Sequence, residues 1–181
     1  MTLFLRYALA GVVVALDQWS KLAVEGALEL YERIPVTAFL NITKAYNPGA
    51  AFSFLAGAGG WQRWFFTIVS SVVSVVLVVW LARMERAERM LALAISLILG
   101  GAVGNLIDRL AHGHVVDFIQ VHWKSEAYFP SFNVADSAIT AGTVLLLLLT
   151  FLDWRAERAE RTASAGADGG ARGPHDHEST P

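Results

Sequence analysis

The sequence predicts an α-helical integral membrane protein with four transmembrane helices and a small extracytoplasmic β-element and loop. Hydrophobic residues make up 55% of the 181 residues and charged residues only 17%, whereas a soluble domain usually carries about 25% charge. The apolar residues are also gathered into blocks, and two of these, 64–81 and 90–107, contain no charged residue. Such blocks are long enough to cross the hydrocarbon core of a bilayer.

The composition also excludes several classes of function. A formal net charge of −2 argues against nucleic acid as a partner, because domains that bind nucleic acid are basic. The chain contains no cysteine, which excludes disulfides, a thiol nucleophile and a cysteine-based zinc site. We predict one membrane domain over residues 1–161, followed by a small, polar, disordered cytoplasmic tail over residues 162–181.

The first predicted helix covers about residues 3–24. Asp17 and Lys21 lie near its end, four residues apart with the acid first, which places them on one helix face in the order that favours an ion pair. Residues 25–60 carry scattered charges and are predicted to form an outer β and loop element. Within it, residues 36–42 are rich in the β-branched and apolar residues that suit a short strand.

Three further helices are predicted, at about 62–82, 90–108 and 134–153. Arginines are concentrated in the loop before the third helix and directly after the fourth. The positive-inside rule therefore predicts that both termini are cytoplasmic. The segments 25–60 and 110–133 are then predicted to face outward.

Polar residues gather at the outer ends of these helices, while the middles of helices two to four carry no charge. They come from five segments, and they are Asp17, Lys21, Asn47, Asn105, Asp108, Arg109, Asp117, Asn133 and Asp136. Any one of them alone could be an ordinary interfacial anchor. Asp117 and Asp136 differ because apolar residues surround them, and an ionised carboxylate in such surroundings is costly unless it is paired or protonated. Ionisable groups at membrane depth are candidate functional residues.

Two carboxylates in a partly dry site suit acid–base hydrolysis. Like charges at close range cannot both ionise easily, so Asp117 and Asp136 would share one proton. One carboxylate could activate water while the other donates a hydrogen bond to a scissile carbonyl. Asp136, in the first turn of a helix, would feel a dipole that favours its ionised form, which hints that Asp136 is the base.

Other interpretations remain open from the residues alone. His112, His114 and Asp117 (HGHVVD) could bind a metal, although two histidines in an interfacial loop are the more common explanation. Lys21 could serve as the base for a serine hydroxyl, and the candidates are Ser53, Ser131 and Ser137. A small ion or proton transporter, or a non-catalytic membrane assembly subunit with glycine-rich contact faces, are the alternative functions. The stripe of Gly100, Gly101 and Gly104 is typical of helix packing.

Five short motifs carry a resemblance to a known family, in the order DQWSK (17–21), NPGAAFSF (47–54), GGAVGNLIDR (100–109), VVDF (115–118) and FNVADS (132–137). Over about residues 4–154 the chain resembles lipoprotein signal peptidase, the type II signal peptidase family of bacteria. The resemblance implies an aspartic endopeptidase of the bacterial inner (plasma) membrane. Such an enzyme removes the signal peptide from prolipoproteins by cleaving before the diacylglyceryl-modified cysteine, and it needs no metal or other cofactor.

The resemblance also implies roles for individual residues. VVDF and FNVADS make Asp117 and Asp136 the catalytic dyad. The supporting or substrate-contacting residues are then Asp17, Lys21, Asn47, Gly49, Asn105, Asp108, Arg109 and Asn133. We expect prolipoprotein substrates and membrane lipids as partners, a monomeric state, and an active site at the edge of the outer leaflet.

Overall fold

The computed structural model describes residues 1–49, 61–123 and 127–170 of the chain. These residues form four helices and four strands, in the order α1 (Leu3–Ala27), β1 (Arg33–Thr37), β2 (Leu40–Asn47), α2 (Trp61–Arg83), α3 (Arg89–Ala111), β3 (Val115–Trp123), β4 (Ala127–Tyr128) and α4 (Val134–Gly170). One compact unit, Met1–Leu146, contains the sheet, α1 to α3 and the start of α4, and a second begins at Leu147.

Three helices in the described part of the chain are long and apolar enough to cross a membrane: α2, α3 and the segment Val134–Arg161 of α4. The predicted class, a helical membrane protein with a small sheet, is confirmed at that level. α1 has 25 residues but carries three buried charged side chains, Arg6, Asp17 and Lys21. These charges reduce its hydropathy, and they distinguish α1 from the other three helices.

Glycines allow the helices to approach closely. A Cβ atom on Gly100 of α3 would lie 2.6 Å from the Cβ of Val13 in α1. A Cβ atom on Gly142 of α4 would lie 2.6 Å from the carbonyl oxygen of Ala94 in α3. Any larger residue would force these backbones apart, so the packing role predicted for the glycine stripe of α3 is confirmed.

The apolar core of the first unit lies where α1, α2 and α3 meet, and its buried residues are Ala10, Leu77, Leu81, Met84, Ala92, Ile95 and Leu99. Beside this core, the guanidinium of Arg6 is almost fully buried. It donates from Nη1 to the carbonyl oxygens of Leu81 (2.7 Å) and Met84 (2.9 Å) at the end of α2. The last carbonyls of a helix have no partner within the helix, so Arg6 caps α2.

The structure corrects the strand predicted over residues 36–42. β1 and β2 form an antiparallel hairpin with Ile34 opposite Ile42, and the chain reverses at residues 38–39, inside the predicted strand. Apolar residues continue through this turn, so the composition contains no sign of the reversal. Pro35 fits the exposed edge strand β1, where a missing backbone N–H leaves no partner unpaired.

The segment 110–133, which the sequence predicted only as an outward-facing loop, contains two strands, β3 and β4. β3 runs antiparallel to β2, with Asp117 opposite Ala45 and Val115 opposite Asn47. The first residues of β3 are buried consecutively. A strand buried on both faces shows no alternation of polar and apolar residues, which explains why the pattern did not reveal it.

α4 is longer than predicted. It continues to Gly170, so residues 162–170 are helical, although the sequence predicted a disordered tail from residue 162. The stretch that follows residue 154 is rich in Ala, Glu and Arg, which are strong helix formers and extend the helix. The rest of the predicted tail, residues 171–181, lies outside the described residues.

Candidate active site

Asp117 and Asp136 reach one site from different elements of the fold. Asp117 lies in β3 and is only 3% exposed, whereas Asp136 lies in the first turn of α4 and lines a cavity of about 830 Å³. Asn133 joins the two. Its Nδ2 donates to Asp117 Oδ1 (2.8 Å), and its Oδ1 accepts from the backbone N–H of Asp136 (2.8 Å).

The start of α4 is held by two side chains. Asn133 directly precedes the helix and is its N-cap, because its Oδ1 accepts from the backbone N–H of Asp136. Asp17 of α1 supplies the second bond, because its Oδ1 accepts from the N–H of Ala135 at 2.8 Å. These two contacts fix the backbone on which the Asp136 side chain is placed.

The side chain of Asp117 is held from the neighbouring strand as well. Asn47 and Asp117 are diagonal neighbours in the β2–β3 pair, and Asn47 Nδ2 donates to Asp117 Oδ2 at 3.1 Å. The N–H of Gly49 donates in turn to Asn47 Oδ1 at 2.9 Å. Gly49 has a φ of +107°, and a Cβ atom there would lie 2.5 Å from the ring of Phe66. Glycine is therefore required at this turn.

The environment of Asp117 favours its protonated form. The pKa of Asp117 is raised to about 7, chiefly by burial and also by the nearby carboxylate of Asp136, while the amides of Asn47 and Asn133 and the charge of Lys21 act in the opposite direction. Asp117 therefore holds a proton over much of the range below neutral pH. This is the behaviour expected of one member of a carboxyl pair that shares a proton.

A buried ion cluster lies directly beside the two aspartates. The ammonium of Lys21 is 2.7 Å from Asp17 Oδ2 and 2.8 Å from Asp108 Oδ2, and all three side chains are almost fully buried. The ion pair predicted between Asp17 and Lys21 is thus confirmed. A Cβ atom on Gly104 would lie 2.6 Å from Asp17 Oδ2, so a glycine at this position makes room for the carboxylate.

Asn105 links this cluster to the aspartates. Its Oδ1 accepts from Lys21 Nζ (3.1 Å) and from Asn133 Nδ2 (3.2 Å), and its Nδ2 donates to Asp136 Oδ1 (2.7 Å). Arg109, one turn later on α3, donates to the carbonyl oxygen of Asn105 and lies over the ring of Phe66 at 5.6 Å. The structure therefore brings together all ten residues that the sequence singled out for the site.

The cavity beside Asp136 has both polar and apolar walls. Its lining residues come from the Asn47–Gly49 turn, α2, α3, the segment before α4 and the first turns of α4, and they are Asn47, Gly49, Phe66, Arg109, Phe129, Pro130, Ser131, Phe132, Asp136, Ser137, Thr140 and Ala141. Asp136 and Arg109 are the ionisable groups among them. Three of the lining residues, Phe66, Phe129 and Phe132, supply apolar aromatic surface.

The structure does not favour the metal alternative. The ring of His114 packs against Tyr46, with centroids 4.0 Å apart, whereas the carboxylate of Asp117 bonds Asn47 and Asn133. Burial, followed by the nearby His112, lowers the pKa of His114. Within residues 1–49, 61–123 and 127–161, no group of three or more His, Asp or Glu side chains is arranged to hold a metal ion.

The structure does not favour the alternative in which Lys21 is the base for a serine hydroxyl. Lys21 Nζ contacts carboxylate oxygens of Asp17 and Asp108 and the amide oxygen of Asn105, and none of these partners is a serine hydroxyl. The hydroxyl of Ser137 donates to the carbonyl of Asn133 at 2.9 Å. Ser131 lines the cavity, and Ser53 lies outside the described residues.

Sequence reasoning missed Gln18. Its Nε2 donates to Asp108 Oδ1 at 2.8 Å and to the carbonyl oxygen of Gly104 at 3.2 Å, so it fastens α1 to α3. The signal was present, because Gln18 stands between Asp17 and Lys21 in the motif DQWSK. The i, i+4 spacing that pairs Asp17 with Lys21 does not include Gln18, because adjacent residues on a helix point in different directions.

Helices long and apolar enough to cross a membrane, and two neighbouring carboxylates of which one lines a cavity, indicate the class of protein, a helical membrane enzyme. Residues 9–152 match the family model described as Signal peptidase (SPase) II. The chain therefore belongs to the signal peptidase II family and is a peptidase.

Individual relatives agree with this assignment. The chain is 56% identical over 141 residues to the lipoprotein signal peptidase of Pseudomonas fluorescens, covering 77% of this chain and 83% of the relative. It is 52% identical over 159 residues to that of Cellvibrio japonicus, covering 88% and 93%. A bacterial membrane enzyme solved by the in meso method at 2.3 Å resolution superimposes with a TM-score of 0.72 at 34% identity, covering 82% of this chain and 88% of that one.

Proposed function

We propose that Asp117 and Asp136 are the catalytic pair of this peptidase. The enzyme removes signal peptides from prolipoproteins, as its family and its relatives imply. The observation that carries the catalytic assignment is the asparagine between the two acids. Asn133 bonds the carboxylate of Asp117 and the backbone of Asp136, so one side chain holds the buried Asp117 beside Asp136, which lines the cavity.

The two acids take different roles in the proposed mechanism. Asp117 holds the shared proton, because its pKa is raised to about 7. Asp136, which lines the cavity, accepts a proton from a water molecule as the water oxygen attacks the scissile carbonyl carbon. At the same time Asp117 gives its proton to the carbonyl oxygen, and a tetrahedral diol results.

Collapse of this intermediate completes the reaction. Asp136 passes its new proton to the leaving nitrogen, and the carbon–nitrogen bond breaks. A hydroxyl of the diol returns a proton to Asp117 as the carboxylic acid product forms. Both aspartates then have their starting protonation, which is the behaviour required of a general acid and a general base.

The cavity suits a lipid-modified peptide. Phe66, Phe129 and Phe132 provide apolar wall, and Arg109 provides hydrogen-bond donors close to Asp136. Because Arg109 lines the cavity, its guanidinium can donate to a substrate carbonyl. We propose that the peptide before the diacylglyceryl-modified cysteine lies along this wall while the acyl chains stay in lipid.

We propose that α1 is a fourth membrane span and that the enzyme is a monomer of the bacterial inner membrane. The buried charged groups of α1 do not need water, because Arg6, Asp17 and Lys21 have partners within the protein. The arginine distribution supports cytoplasmic termini. The active site, near the C-terminal end of α1, would then lie at the edge of the outer leaflet.

A cleavage assay tests the proposal. Purified enzyme is incubated with a prolipoprotein that carries the diacylglyceryl group, and release of the signal peptide is measured. Asp117→Asn and Asp136→Asn should each reduce turnover by about 10⁴-fold or more, and the double variant should lose no more than either single one. Asn is nearly isosteric with Asp, so folding should survive.

Asp153→Asn, an exposed position on the same helix as Asp136, is the matched control and should keep full turnover. Substrate without the lipid group should be cleaved poorly. Turnover above about one per cent of wild type in either aspartate variant would contradict the two-aspartate mechanism. Equal cleavage of the unlipidated substrate would contradict the proposed use of the lipid.

A further inference from the structure

The buried ion cluster beside the catalytic pair has an unusual connectivity. We name Asp17, Lys21 and Asp108 the lysine bridge, because one ammonium joins two carboxylates from different helices. Lys21 and Asp17 belong to α1 and Asp108 belongs to α3, and the nitrogen–oxygen distances are 2.7 and 2.8 Å. The three side chains are at most 3% exposed, so water contributes little to their solvation.

Each carboxylate of the lysine bridge also holds a backbone amide next to a catalytic residue. Asp17 Oδ1 accepts from the N–H of Ala135 at 2.8 Å, and Ala135 directly precedes Asp136. Asp108 Oδ2 accepts from the N–H of Val116 at 3.2 Å, and Val116 directly precedes Asp117. The backbone at each aspartate is therefore tied to the same ammonium through one carboxylate.

A third connection reaches a catalytic side chain itself. Lys21 Nζ donates to Asn105 Oδ1, and Asn105 Nδ2 donates to Asp136 Oδ1 at 2.7 Å. Lys21 thus orients the amide that binds the proposed base. Lys21 thus contacts α3 directly. Through Asp108 it is connected to β3, and through Asp17 and Asn105 it is connected to α4.

We propose that Lys21 is a positioning residue that sets the separation and the relative orientation of the two catalytic carboxylates. This inference rests on the proposed function, because it takes Asp117 and Asp136 as the reacting pair. Lys21 does not contact the cavity and acts through Asp17, Asp108 and Asn105.

Stability alone is a poor explanation for the lysine bridge. Burying three charges costs much of what their mutual attraction returns, and well-packed apolar residues of similar volume are often as stable. Placement is a better explanation, because a displacement of about 1 Å in a reacting group can cost about 100-fold in rate. The positive charge has a second effect, since Lys21 lowers the pKa of Asp117.

The experiment compares Lys21→Met, Lys21→Arg and Asp108→Asn with a matched control, Lys44→Met. Lys44 is also a buried lysine, at 8% exposure, but its ammonium donates to the carbonyl of Glu25 outside the lysine bridge. For each folded variant, kcat and KM for lipidated prolipoprotein are measured across pH. Thermal unfolding shows which variants are folded.

We expect Lys21→Met to reduce kcat by about 10- to 100-fold with little change in KM. Both limbs of its pH–rate curve should move to higher pH, because a cation that favours ionisation of the pair is gone. The groups that face Lys21 and enter this balance are Asp17, Asp108, Asn105, Asp117 and Asp136. Lys21→Arg keeps the charge but not the geometry, so kcat should fall while the pH optimum stays near that of wild type.

A folded Lys21→Met variant with wild-type kcat and an unshifted pH curve would overturn the proposal, and so would an equal loss in Lys44→Met. If Lys21→Met does not fold, Asp108→Asn decides the question. Its side-chain oxygen can still accept from Val116, so it should fold but lose kcat. Full turnover by Asp108→Asn would then contradict the proposal that the lysine bridge positions the two aspartates. Failure of the two-aspartate mechanism is seen separately, as activity in Asp117→Asn or Asp136→Asn.

Discussion

α1 buries a cation near each of its ends, and the two cations are satisfied in different ways. Arg6 is 2% exposed and Lys21 is 3% exposed. The described partners of Arg6 are backbone carbonyls, including Leu81 and Met84 at the end of α2. The described partners of Lys21 are side-chain oxygens, and two of them are carboxylates that also bond the backbone next to Asp136 and Asp117. Burial of a charge is therefore not by itself a sign of function.

The surroundings of the two cations differ in the same way. Arg6 lies beside the apolar core, which contains Leu77, Leu81 and Ile95, and its bonds close the end of one helix. Lys21 lies among Asp17, Asn105 and Asp108, and Asn105 in turn bonds Asp136, which lines a cavity. We infer that a buried cation has a functional role when its partners are side chains that in turn contact the site, as those of Lys21 do. The following experiments test this difference between Lys21 and Arg6.

Apart from the aspartates, the largest effect is expected at Asn133. Asn133→Ala removes the amide that bonds Asp117 and the cap of α4. Loss of one such group at a reacting centre typically costs 10²- to 10³-fold in kcat, so we expect a decrease of about that size. Single-turnover cleavage at saturating substrate measures it. A decrease of less than about threefold would show that the asparagine does not organise the pair.

The pH dependence of the free energy of unfolding should come from Asp117, in the site near Lys21. Asp117 has a pKa of about 7 in the folded protein against 3.8 ordinarily, so the unfolded chain releases its proton first as pH rises. The folded state therefore loses stability between about pH 4 and 7, by up to about 4 kcal/mol. Chemical denaturation from pH 4 to pH 8 tests this. Asp117→Asn should flatten the curve, and Asp153→Asn should leave the wild-type slope.

Arg6→Met should have the opposite signature to Lys21→Met. It leaves the carbonyls of Leu81 and Met84 without their donor, which should lower the free energy of unfolding by about 2–3 kcal/mol. Turnover per folded molecule should not change, because none of the contacts that Arg6 makes with the described residues leads to the aspartates. Arg83→Met, at an exposed residue of α2, serves as the control. A decrease in kcat of a folded Arg6→Met variant would contradict the prediction that only Lys21 affects catalysis.

Truncation after Arg161 should have the smallest effect. The family match ends at residue 152, and the removed segment is small and polar. We expect turnover within about twofold of wild type, and a stability change within about 0.5 kcal/mol. The cleavage assay, normalised to the amount of inserted protein, gives the measurement. Loss of cleavage with normal insertion would assign the tail a role.

Much of the site was predictable because its members stand in short motifs. The pair Asp17 and Lys21 obeys i, i+4 spacing, and this local geometry was enough to predict the ion pair that the structure contains. Asn133 could also have been recognised as an N-cap, since an Asn directly precedes the apolar run of α4. These signals depend only on residues within one turn of each other.

The strands were harder to predict. Val115, Val116 and Phe118 are all buried, so β3 lacks the alternation that identifies a half-exposed strand. The hairpin of β1 and β2 reverses at Ala38 and Phe39 without Gly, Asn or Pro at the turn itself. Both elements depend on pairing with distant residues, which no local pattern records.

The sequence by itself determined the class of protein, the spans of α2 and α3 and the family, because hydropathy blocks and ordered motifs are local properties. Only the tertiary structure decided which oxygen bonds which donor. Asp17 and Ala135 are 118 residues apart, and Asp108 reaches Val116 only because β3 folds back beside α3. Burial raises the cost of every unpaired charge in this region. The arrangement around Lys21 is therefore set by the packing of α1, α3, α4 and the sheet.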